Sequence, residues 1–361
     1  MIDFKLQPHS PECIDRQIAS QVRDAITSGR LNLGEPMPHV EQVAAQLGVD
    51  ADSVRRAYCE LEGQRYIEVQ RASASPDTWF VNKGGSASVR ASLIMRALMR
   101  LMSNAPGQSL LAHIVDACHH LMGIGSGGYA PTSGEYASIR ALARCGDPPY
   151  TIMDAGAYRG WFVDLVKQNL PIEDFEVHCF EPCAATFRVL EGNISHDKRI
   201  RINQAALGAE VGTAPLYYDG PGSGRASLTR LNLQHRSIKF SGKEMVQVDT
   251  IDNYCLTHSI SRVHLLKLDI EGHEFEALSG AARMFKTGAI DLVSFELGKC
   301  AVDTRRFFKD FYYFFQNAGL SIFRITPSGY LVPIHAYDEA HEQFVTTNYL
   351  AVSYARTTTS A

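Results

Sequence analysis

The N-terminal part of the chain alternates amphipathic segments with turn residues. Its first apolar residues recur every four positions, which places them on one face of a helix that ends at Gly29. A second helix is predicted from about His39 to Leu47, and a third from "GVDADS" to Gly63. Two strands follow as a hairpin, "YIEVQ" and "TWFV", joined by the loop "RASASPD". We therefore expect residues 1–82 to form a small α+β domain of three helices and a hairpin.

The next stretch, residues 83–147, is predicted to be a helical linker or cap. The segment "GGSAS" has the composition of a linker, and "VRASLIMRALMRLM" and "LLAHIVDACHHLMGI" have apolar spacings typical of helices. The more apolar of the two is interrupted by Arg96 and Arg100, and it is too short to span a bilayer. These helices could pack over the following domain or between two subunits, and the pattern leaves both arrangements open.

From residue 148 onward, short apolar runs rich in branched residues alternate with helical patterns. This alternation predicts a mainly parallel sheet, so we expect an α/β, Rossmann-like domain at residues 148–361. Its strands are predicted at "TIMDAG", "EVHCFEP", "RIRINQAAL", "VHLLKLDIEG" and "AIDLVSFELG".

Acidic residues fall at the carboxyl ends of four predicted strands. They are Asp154, Glu181, Asp269 and Glu296. In sheets of this kind the ligand lies beyond the carboxyl ends of the strands, near the point where the strand order reverses. The four carboxylates are therefore expected to line one site.

The first of these strands leads into the turn Asp154–Gly160. Gly156 allows a tight turn that comes close to a ligand, but Asp154 would repel the phosphates of a dinucleotide. S-adenosylmethionine carries an ammonium and a sulfonium and has no phosphate, so an acid here favours it. Glu181 is placed to accept hydrogen bonds from ribose hydroxyls. An NAD-dependent oxidoreductase is disfavoured by Asp154 and by the missing G-x-G-x-x-G.

Composition narrows the class of protein further. A formal net charge of -4, with 45% hydrophobic and 20% charged residues, is ordinary for a globular protein and indicates neither a nucleic-acid coat nor a membrane-surface protein. The N-terminus lacks a signal-peptide pattern, and the eight cysteines show no C-x-x-C pair. We expect a cytoplasmic protein with reduced thiols and no membrane partner.

Residues 1–82 resemble the winged helix-turn-helix of GntR-type regulators. The resemblance is carried by "QVRDAITSGRLNLGEPMP", "VEQVAAQLGVD" and "SVRRAYCELEGQRYIEVQ". The sequence differs from the family at the positions that contact DNA. Asp50 and Asp52 lie at the start of the recognition helix, and Arg71 is the only basic residue of the wing. Residues 1–82 hold eight Lys/Arg and twelve Asp/Glu, so their net charge is negative. Binding to DNA phosphates requires a positive charge. DNA binding is therefore not expected, and dimerisation or partner docking is preferred.

The remainder, from about Met122 to Ser353, resembles the FkbM family. The matching blocks are "DAGAYRG", "CFEPCAATFRVLEGN", "AALGAEVGTAPLY", "ASLTR", "VDTIDNY" and "LLKLDIEGHEFEALSGA". The resemblance implies an S-adenosylmethionine-dependent methyltransferase, mostly acting on oxygen, with a seven-stranded class I sheet. It also implies an antiparallel last strand, and "TNYLAVS" would be an outer strand. Tyr158 departs from the family, which often has Asn at that position.

These observations together predict a donor site and a catalytic group. The donor is expected to contact Glu135, Asp154, Gly156, Ala157, Tyr158, Gly160, Glu181, Pro182, Ala205, Ala206 and Asp269. Catalysis is assigned to Lys267, Asp269, Glu271 and His273. Several residues here could instead have a purely structural role. Glu271 and Glu274 could stabilise a helix N-terminus, His273 could face solvent in a turn, and Ser133 and Glu135 could cap a helix.

The glycine-rich segment Asp219–Arg230 is predicted to close over the acceptor. Arg225, Ser227 and Glu296 are assigned to that side of the site. Asp269, Glu271 and Glu296 could alternatively form a divalent metal site, although no metal is assigned. The acceptor is expected to be a small molecule, a peptide or a carrier-bound intermediate, and a homodimer is expected. The alternative function is a GntR-like regulator whose methyltransferase-like domain senses a ligand.

Overall fold

The computed structural model describes residues 4–6, 13–32, 34–64, 66–72, 75–81, 98–128, 133–145, 147–194 and 196–357. The chain divides into two compact units, residues 1–113 and 114–361. The predicted linker "GGSAS" and most of the helix predicted after it lie outside the described residues, and so do the tip of the wing and the side chain of Arg71. Within the described ranges, no helix combines the length and apolarity needed to cross a bilayer.

The first unit has the predicted order of elements. They are α1 (Ile14–Thr27), α2 (Val40–Leu47), α3 (Ala51–Gly63), β1 (Ile67–Ala72) and β2 (Ser75–Val81). Asp50 starts α3 by accepting a hydrogen bond from the backbone N–H of Ser53 at 2.7 Å. The core centres on Tyr58, whose ring packs edge-on against Trp79 with 5.7 Å between centroids. This is the winged-helix architecture that the sequence predicts.

A long apolar helix, α4 (Ala105–Met122), follows. Its large apolar side chains expose between 39% and 75% of their surface, so no described part of the chain covers them. They are Leu110, Leu111, Ile114, Val115, Leu121 and Met122. Of the helix predicted just before it, only residues 98–102 are described, and they are helical.

The second unit is built on two sheets flanked by helices. The helices are α5 (Tyr136–Cys145), α6 (Trp161–Asn169), α7 (Ala184–Ile194), α8 (Ile251–Thr257), α9 (Glu274–Ser279), α10 (Ala282–Lys286), α11 (Ala301–Thr304), α12 (Phe308–Asn317) and α13 (Tyr354–Thr357). The strands are β3 (Tyr150–Ala155), β4 (Phe175–Phe180), β5 (Ile200–Asn203), β6 (Ala206–Leu207), β7 (Gly212–Tyr218), β8 (Gly242–Asp249), β9 (Val263–Leu268), β10 (Ile290–Leu297), β11 (Leu320–Ile325), β12 (Leu331–Ile334) and β13 (Thr347–Ser353).

The main sheet has the order β12-β11-β13-β10-β9-β3-β4-β5. The five strands from β10 to β5 are parallel, and β13 is antiparallel to both of its neighbours, as the family resemblance implies. This confirms the Rossmann-like fold. Apolar side chains cover both faces of the parallel strands, which explains their nearly continuous hydrophobic sequences.

Two expectations about the sheet were wrong. It has eight strands rather than seven, because β11 continues into the edge strand β12. The strand Thr347–Ser353 is not an outer strand, since it pairs with β10 on one side and β11 on the other and is buried along almost its whole length. The predicted strand "RIRINQAAL" is also divided: β5 joins the main sheet, whereas β6 pairs with β8 in a three-stranded sheet.

Candidate functional site

A cavity of about 740 Å³ opens at the carboxyl ends of the parallel strands in the second unit. All but three of the predicted site residues line it. They are Glu135, Gly156, Ala157, Tyr158, Glu181, Pro182, Ala205, Ala206, Arg225, Lys267, Asp269, Glu271, His273 and Glu296. Residues far apart in the sequence meet here because β3, β4, β9 and β10 all end at this edge.

Asp154 is one of the three predicted residues that do not line the cavity. Its carboxylate is fully buried, and Oδ1 lies 3.3 Å from Nζ of Lys267. Burial lowers the pKa of Lys267, but Asp154, Asp269 and Glu135 outweigh it and raise the pKa above its ordinary value. Lys267 is therefore charged and pairs with Asp154. The predicted contact between Asp154 and the donor stays a prediction.

The turn after β3 is shaped by residues in the left-handed backbone region. Gly156 has φ +80, and a Cβ there would lie 1.9 Å from the carbonyl oxygen of Asp269, so the turn packs directly on the end of β9. Gly160 has φ +90 and is the N-cap of α6, and a Cβ there would meet Ile194 at 3.0 Å. Gly160 does not line the cavity, so it serves backbone geometry and packing rather than the predicted donor contact.

Glu181 is held rigidly at the end of β4. Its Oε1 accepts a hydrogen bond from the backbone N–H of Cys183 at 2.9 Å, and its Oε2 accepts one from the backbone N–H of Tyr158 at 3.1 Å. Burial raises the pKa of Glu181 to about 7, against the opposing effect of these two bonds. Each oxygen keeps a second lone pair, so the carboxylate can accept further hydrogen bonds from the cavity side.

Four more carboxylates face the cavity around β9 and β10. They belong to Glu135, Asp269, Glu271 and Glu296. Burial raises the pKa of Glu296 well above its ordinary value, and the neighbouring charges of Asp269 and Glu271 raise it further. Glu135 lines the cavity, and its backbone N–H donates to Ser133 Oγ at 3.3 Å just before α5. Its contact with the donor stays a prediction.

The geometry of these acids bears on the metal alternative. Among the residues described, no three His, Cys, Asp or Glu side chains are arranged so that they could hold a metal ion. Glu271 is instead engaged by Lys299 at 3.9 Å and by Sγ of Cys300, which donates to its Oε2 at 3.1 Å. The arrangement of Asp269, Glu271 and Glu296 therefore gives no support to a divalent ion.

Glu274 and His273, which follow β9, have different environments. Glu274 is buried, and its Oε1 accepts hydrogen bonds from the backbone N–H groups of Ile270 at 3.0 Å and Gly272 at 3.1 Å. Glu274 therefore stabilises the turn that precedes α9, which agrees with the structural role predicted for it at a helix N-terminus. His273 is half-buried against the cavity rather than solvent-facing, and its Nδ1 has no hydrogen-bond partner within the described residues. Burial lowers the pKa of His273, so the ring is neutral at pH 7.

The glycine-rich segment forms one wall of the cavity. Arg225 lines the cavity and donates to Oδ2 of Asp219 from Nη2 at 2.7 Å. The hydroxyl of Tyr158 donates to the carbonyl of Gly222 at 3.3 Å, which links the first turn to this segment. Ser227 is buried outside the cavity lining, and its hydroxyl donates to the carbonyl of Glu271 at 2.8 Å. The predicted role of Ser227 on the acceptor side stays a prediction, and in this structure its hydroxyl ties the glycine-rich segment to the turn after β9.

Several residues that line the cavity were missed in the sequence. They include Gly127, Gly128, Trp161, Phe162, Lys299 and Thr346. Trp161 is 61% exposed. It directly follows the turn Asp154–Gly160, and this position in the sequence could have predicted that it lines the cavity. Lys299 and Thr346 follow β10 and precede β13, and their approach depends on the antiparallel pairing of those strands, which the sequence does not display.

Comparison with known proteins supports the assignment of both units. Residues 154–322 match the family model described as "Methyltransferase FkbM domain", and residues 14–75 match "Bacterial regulatory proteins, gntR family".

Individual relatives match one unit or the other. The HTH-type pyridoxine biosynthesis transcriptional regulator PdxR of Corynebacterium glutamicum is 37% identical over 74 residues, covering 20% of this chain and 16% of its own. Methyltransferase sdnD of Sordaria araneosa is 26% identical over 155 residues, covering 36% of this chain and 59% of its own. The chain thus spans less than two thirds of these relatives.

One solved structure also corresponds to the second unit. The methyltransferase FkbM from Methylobacillus flagellatus aligns with 14% identity and a TM-score of 0.32, covering 62% of this chain and 60% of that one. The chain is thus similar to the gntR-family model over residues 14–75 and to the methyltransferase FkbM model over residues 154–322.

Proposed function

We propose that the second unit transfers a methyl group from S-adenosylmethionine to a hydroxyl of a biosynthetic intermediate. The observation that carries this proposal is the set of carboxylates of Glu135, Glu181 and Asp269 around one cavity at the carboxyl ends of parallel strands. Carboxylates favour a cationic donor and repel the phosphates of a dinucleotide.

The residues present fit this donor. The volume of about 740 Å³ is in the range of small-molecule and cofactor sites. Glu181 would hold the ribose hydroxyls, because its orientation is fixed by two backbone N–H groups. Asp269 would hold the ammonium end, since Lys267 anchors its Oδ2 at 3.5 Å. When bound, S-adenosylmethionine supplies a methyl group on a sulfonium, which is a good leaving group.

The protein then has to orient the acceptor and remove its proton. His273 is suited to be the base, because it lines the cavity and its ring is neutral. Glu296 is suited to orient the hydroxyl as a neutral acid, since burial and neighbouring carboxylates hold its proton. Arg225 and Asp219 would border the acceptor from the glycine-rich wall.

A second candidate function is DNA-binding regulation, which the gntR-family match favours. Against it, the cations of the recognition helix already have acidic neighbours: Arg55 lies 3.8 Å from Glu41, and Arg56 lies 3.6 Å from Asp15. We propose dimerisation or docking instead. A gel shift at physiological salt with DNA upstream of the gene should show no selective complex. A selective complex lost in the R55E/R56E variant would establish the regulator.

We further propose a homodimer, which α4 would help to form. Leu110 and Ile114 are one helical turn apart and expose 52% and 48% of their surface, a pattern that favours burial against a second copy. The L110E/I114E variant should halve the mass measured by light scattering. The variant V211E alters an equally exposed apolar residue elsewhere and should leave the mass unchanged. A monomeric wild type would contradict the proposal.

Calorimetry with S-adenosylmethionine tests the proposed donor site. The variants E181Q and D269N should weaken binding by about tenfold or more, because each replaces a carboxylate oxygen that accepts hydrogen bonds with an amide NH2 group that cannot accept them. The exposed Glu210 provides the matched control, E210Q, which should bind as the wild type does. Undiminished affinity in both site variants, or binding of NADH in competition with S-adenosylmethionine, would refute the assignment.

A further inference from the structure

A basic segment, residues 225–243, borders the cavity of a protein that is acidic as a whole. The formal net charge of the chain is -4, yet from Gly220 to Lys243 there is no Asp or Glu. The same stretch holds five cations, Arg225, Arg230, Arg236, Lys239 and Lys243. A local reversal of sign of this kind creates a positive field over one part of the surface.

The fold holds this segment with its cations outward. Leu231, Leu233 and Phe240 are buried together with Cys300 in a small apolar cluster. The backbone N–H of Asn232 donates to Oδ2 of Asp303 at 2.8 Å, and Arg225 at the start of the segment pairs with Asp219 at 2.7 Å. Between these anchors Arg230, Arg236 and Lys239 are exposed. The backbone is therefore fixed while the charged ends remain in solvent.

These three cations have no acidic neighbour. Within the described part of the chain, the side chains of Arg230, Arg236 and Lys239 make no ion pair and no hydrogen bond. Other arginines of the same unit do have partners, as Arg262 has in Asp291 at 2.7 Å and Arg306 in Glu276 at 2.8 Å. The charges of the basic segment are thus available to an external anion.

The position of the segment limits what that anion can be. Its N-terminal end lines the cavity through Arg225, Ala226 and Leu228, whereas Arg230, Arg236 and Lys239 do not line it. A phosphate on a molecule that lies wholly within the cavity lining would contact none of these three side chains. The anionic partner must therefore extend beyond the cavity mouth while its methyl-accepting group enters.

We infer that the basic segment docks the acidic surface of a protein that presents the methyl acceptor to the cavity. This inference rests on the proposed methyltransferase function. A lipid surface fits less well, because the large apolar residues Leu231, Leu233 and Phe240 are buried and cannot insert. Single-stranded RNA fits less well too, because the segment's one Phe, Tyr or Trp, Phe240, is buried, and only His235 is left as an exposed ring for stacking. Exposed cations facing an acidic surface mainly raise the rate and selectivity of encounter.

Binding of two polyanionic probes tests the inference. Poly-L-glutamate carries the carboxylates of an acidic protein, and an oligouridylate of equal charge represents RNA. The variant R236E/K239E should weaken poly-L-glutamate binding by about tenfold, and added salt should weaken the wild type similarly. The control R188E/K286E makes the same change of net charge at exposed cations on α7 and α10, and it should lose less than about twofold.

Equal losses in both variants, absence of poly-L-glutamate binding by the wild type, or tighter binding of oligouridylate that R236E/K239E abolishes would each overturn the inference. Calorimetry with S-adenosylmethionine on the same variants keeps the two proposals separate. Donor affinity should be unchanged in R236E/K239E, which also shows that the variant is folded. If the wild type binds no donor, the proposed function fails whatever the polyanion result.

Discussion

The ammonium of Lys267 lies 3.3 Å from the carboxylate of Asp154, and both side chains are buried, Lys267 in the cavity lining and Asp154 outside it. The same ammonium lies 3.5 Å from Oδ2 of Asp269, which does face the cavity. Asp154 therefore acts on the cavity indirectly, because it keeps Lys267 charged and Lys267 positions Asp269. An acid at the end of the first strand can be required for donor binding without touching the donor.

Breaking this pair should destabilise the fold strongly. Lys267→Met leaves the buried carboxylate of Asp154 without its cation, and removal of one partner of a buried pair costs about 3–5 kcal/mol. The free energy of unfolding, measured by denaturant titration, should fall by that amount. The double variant D154L/K267M removes both charges and should recover most of the loss. A single variant as stable as the wild type would show that the pair is not a buried ion pair.

The contact between Tyr158 and the glycine-rich wall should control access to that wall. Tyr158→Phe removes only the hydroxyl that donates to the carbonyl of Gly222 at 3.3 Å. A hydrogen bond of this kind contributes about 0.5–1.5 kcal/mol, so local opening should increase about two- to tenfold. Tryptic cleavage after Arg225, followed by mass spectrometry, measures this opening. Cleavage after Lys286 serves as the internal control and should keep its rate.

The position of Tyr158 also shows what the sequence could and could not provide. Its φ of +48 lies in the left-handed region, where Asn is tolerated better than Tyr. The sequence shows that Tyr158 departs from the Asn that is frequent in the family. It does not show that the backbone here is left-handed, which is the conformation that favours Asn. The ring compensates through its bond to Gly222 and its edge-on contact with Trp161, at 5.5 Å between centroids.

Patterns that depend on local geometry were predicted well. The period of the apolar residues predicted the winged helix and the parallel strands, and the acids at strand ends predicted most of the cavity lining. Predictions that required long-range pairing were the ones that failed. The sequence of β13 does not reveal that it inserts between β10 and β11. Nor does a strand-end acid reveal whether it faces the cavity, as Asp269 does, or a buried lysine, as Asp154 does.

If His273 is the base, the reaction should be lost at low pH. Burial lowers the pKa of His273 below its ordinary value of 6.5, so the neutral form that accepts a proton persists to more acidic pH than usual. An NMR titration should place its pKa below 6.5, and kcat/KM should fall as pH drops through the same value. His273→Gln should lower kcat by about 10²–10⁴-fold and leave the affinity for the donor unchanged.

The exposed His335 provides the control for this variant. His335→Gln should preserve both the rate and its pH profile. A variant at position 273 that kept the full rate, or a pH profile that was unchanged when His273 was replaced, would assign the base to another group, with Asp269 next in place along the cavity wall.

Glu274 should make the stability of the second unit depend on pH. Its carboxyl is buried beneath the turn after β9, and burial raises its pKa from about 4.5 to about 8. The folded state therefore holds a proton that the unfolded chain releases above pH 4.5. The stabilisation from this proton is fully present below the unfolded pKa and is lost as pH rises through the folded one, at about 1.4 kcal/mol per pH unit.

Glu274→Gln tests this directly because it keeps the acceptor oxygen for the N–H groups of Ile270 and Gly272 but cannot ionise. The variant should match the wild type near pH 5 and become the more stable of the two as pH approaches 8. Denaturant titrations at several pH values, with E210Q as the exposed control, measure the difference. If E274Q is less stable than the wild type at pH 8, Glu274 is ionised in the folded protein, and its charge stabilises the turn through those two N–H groups.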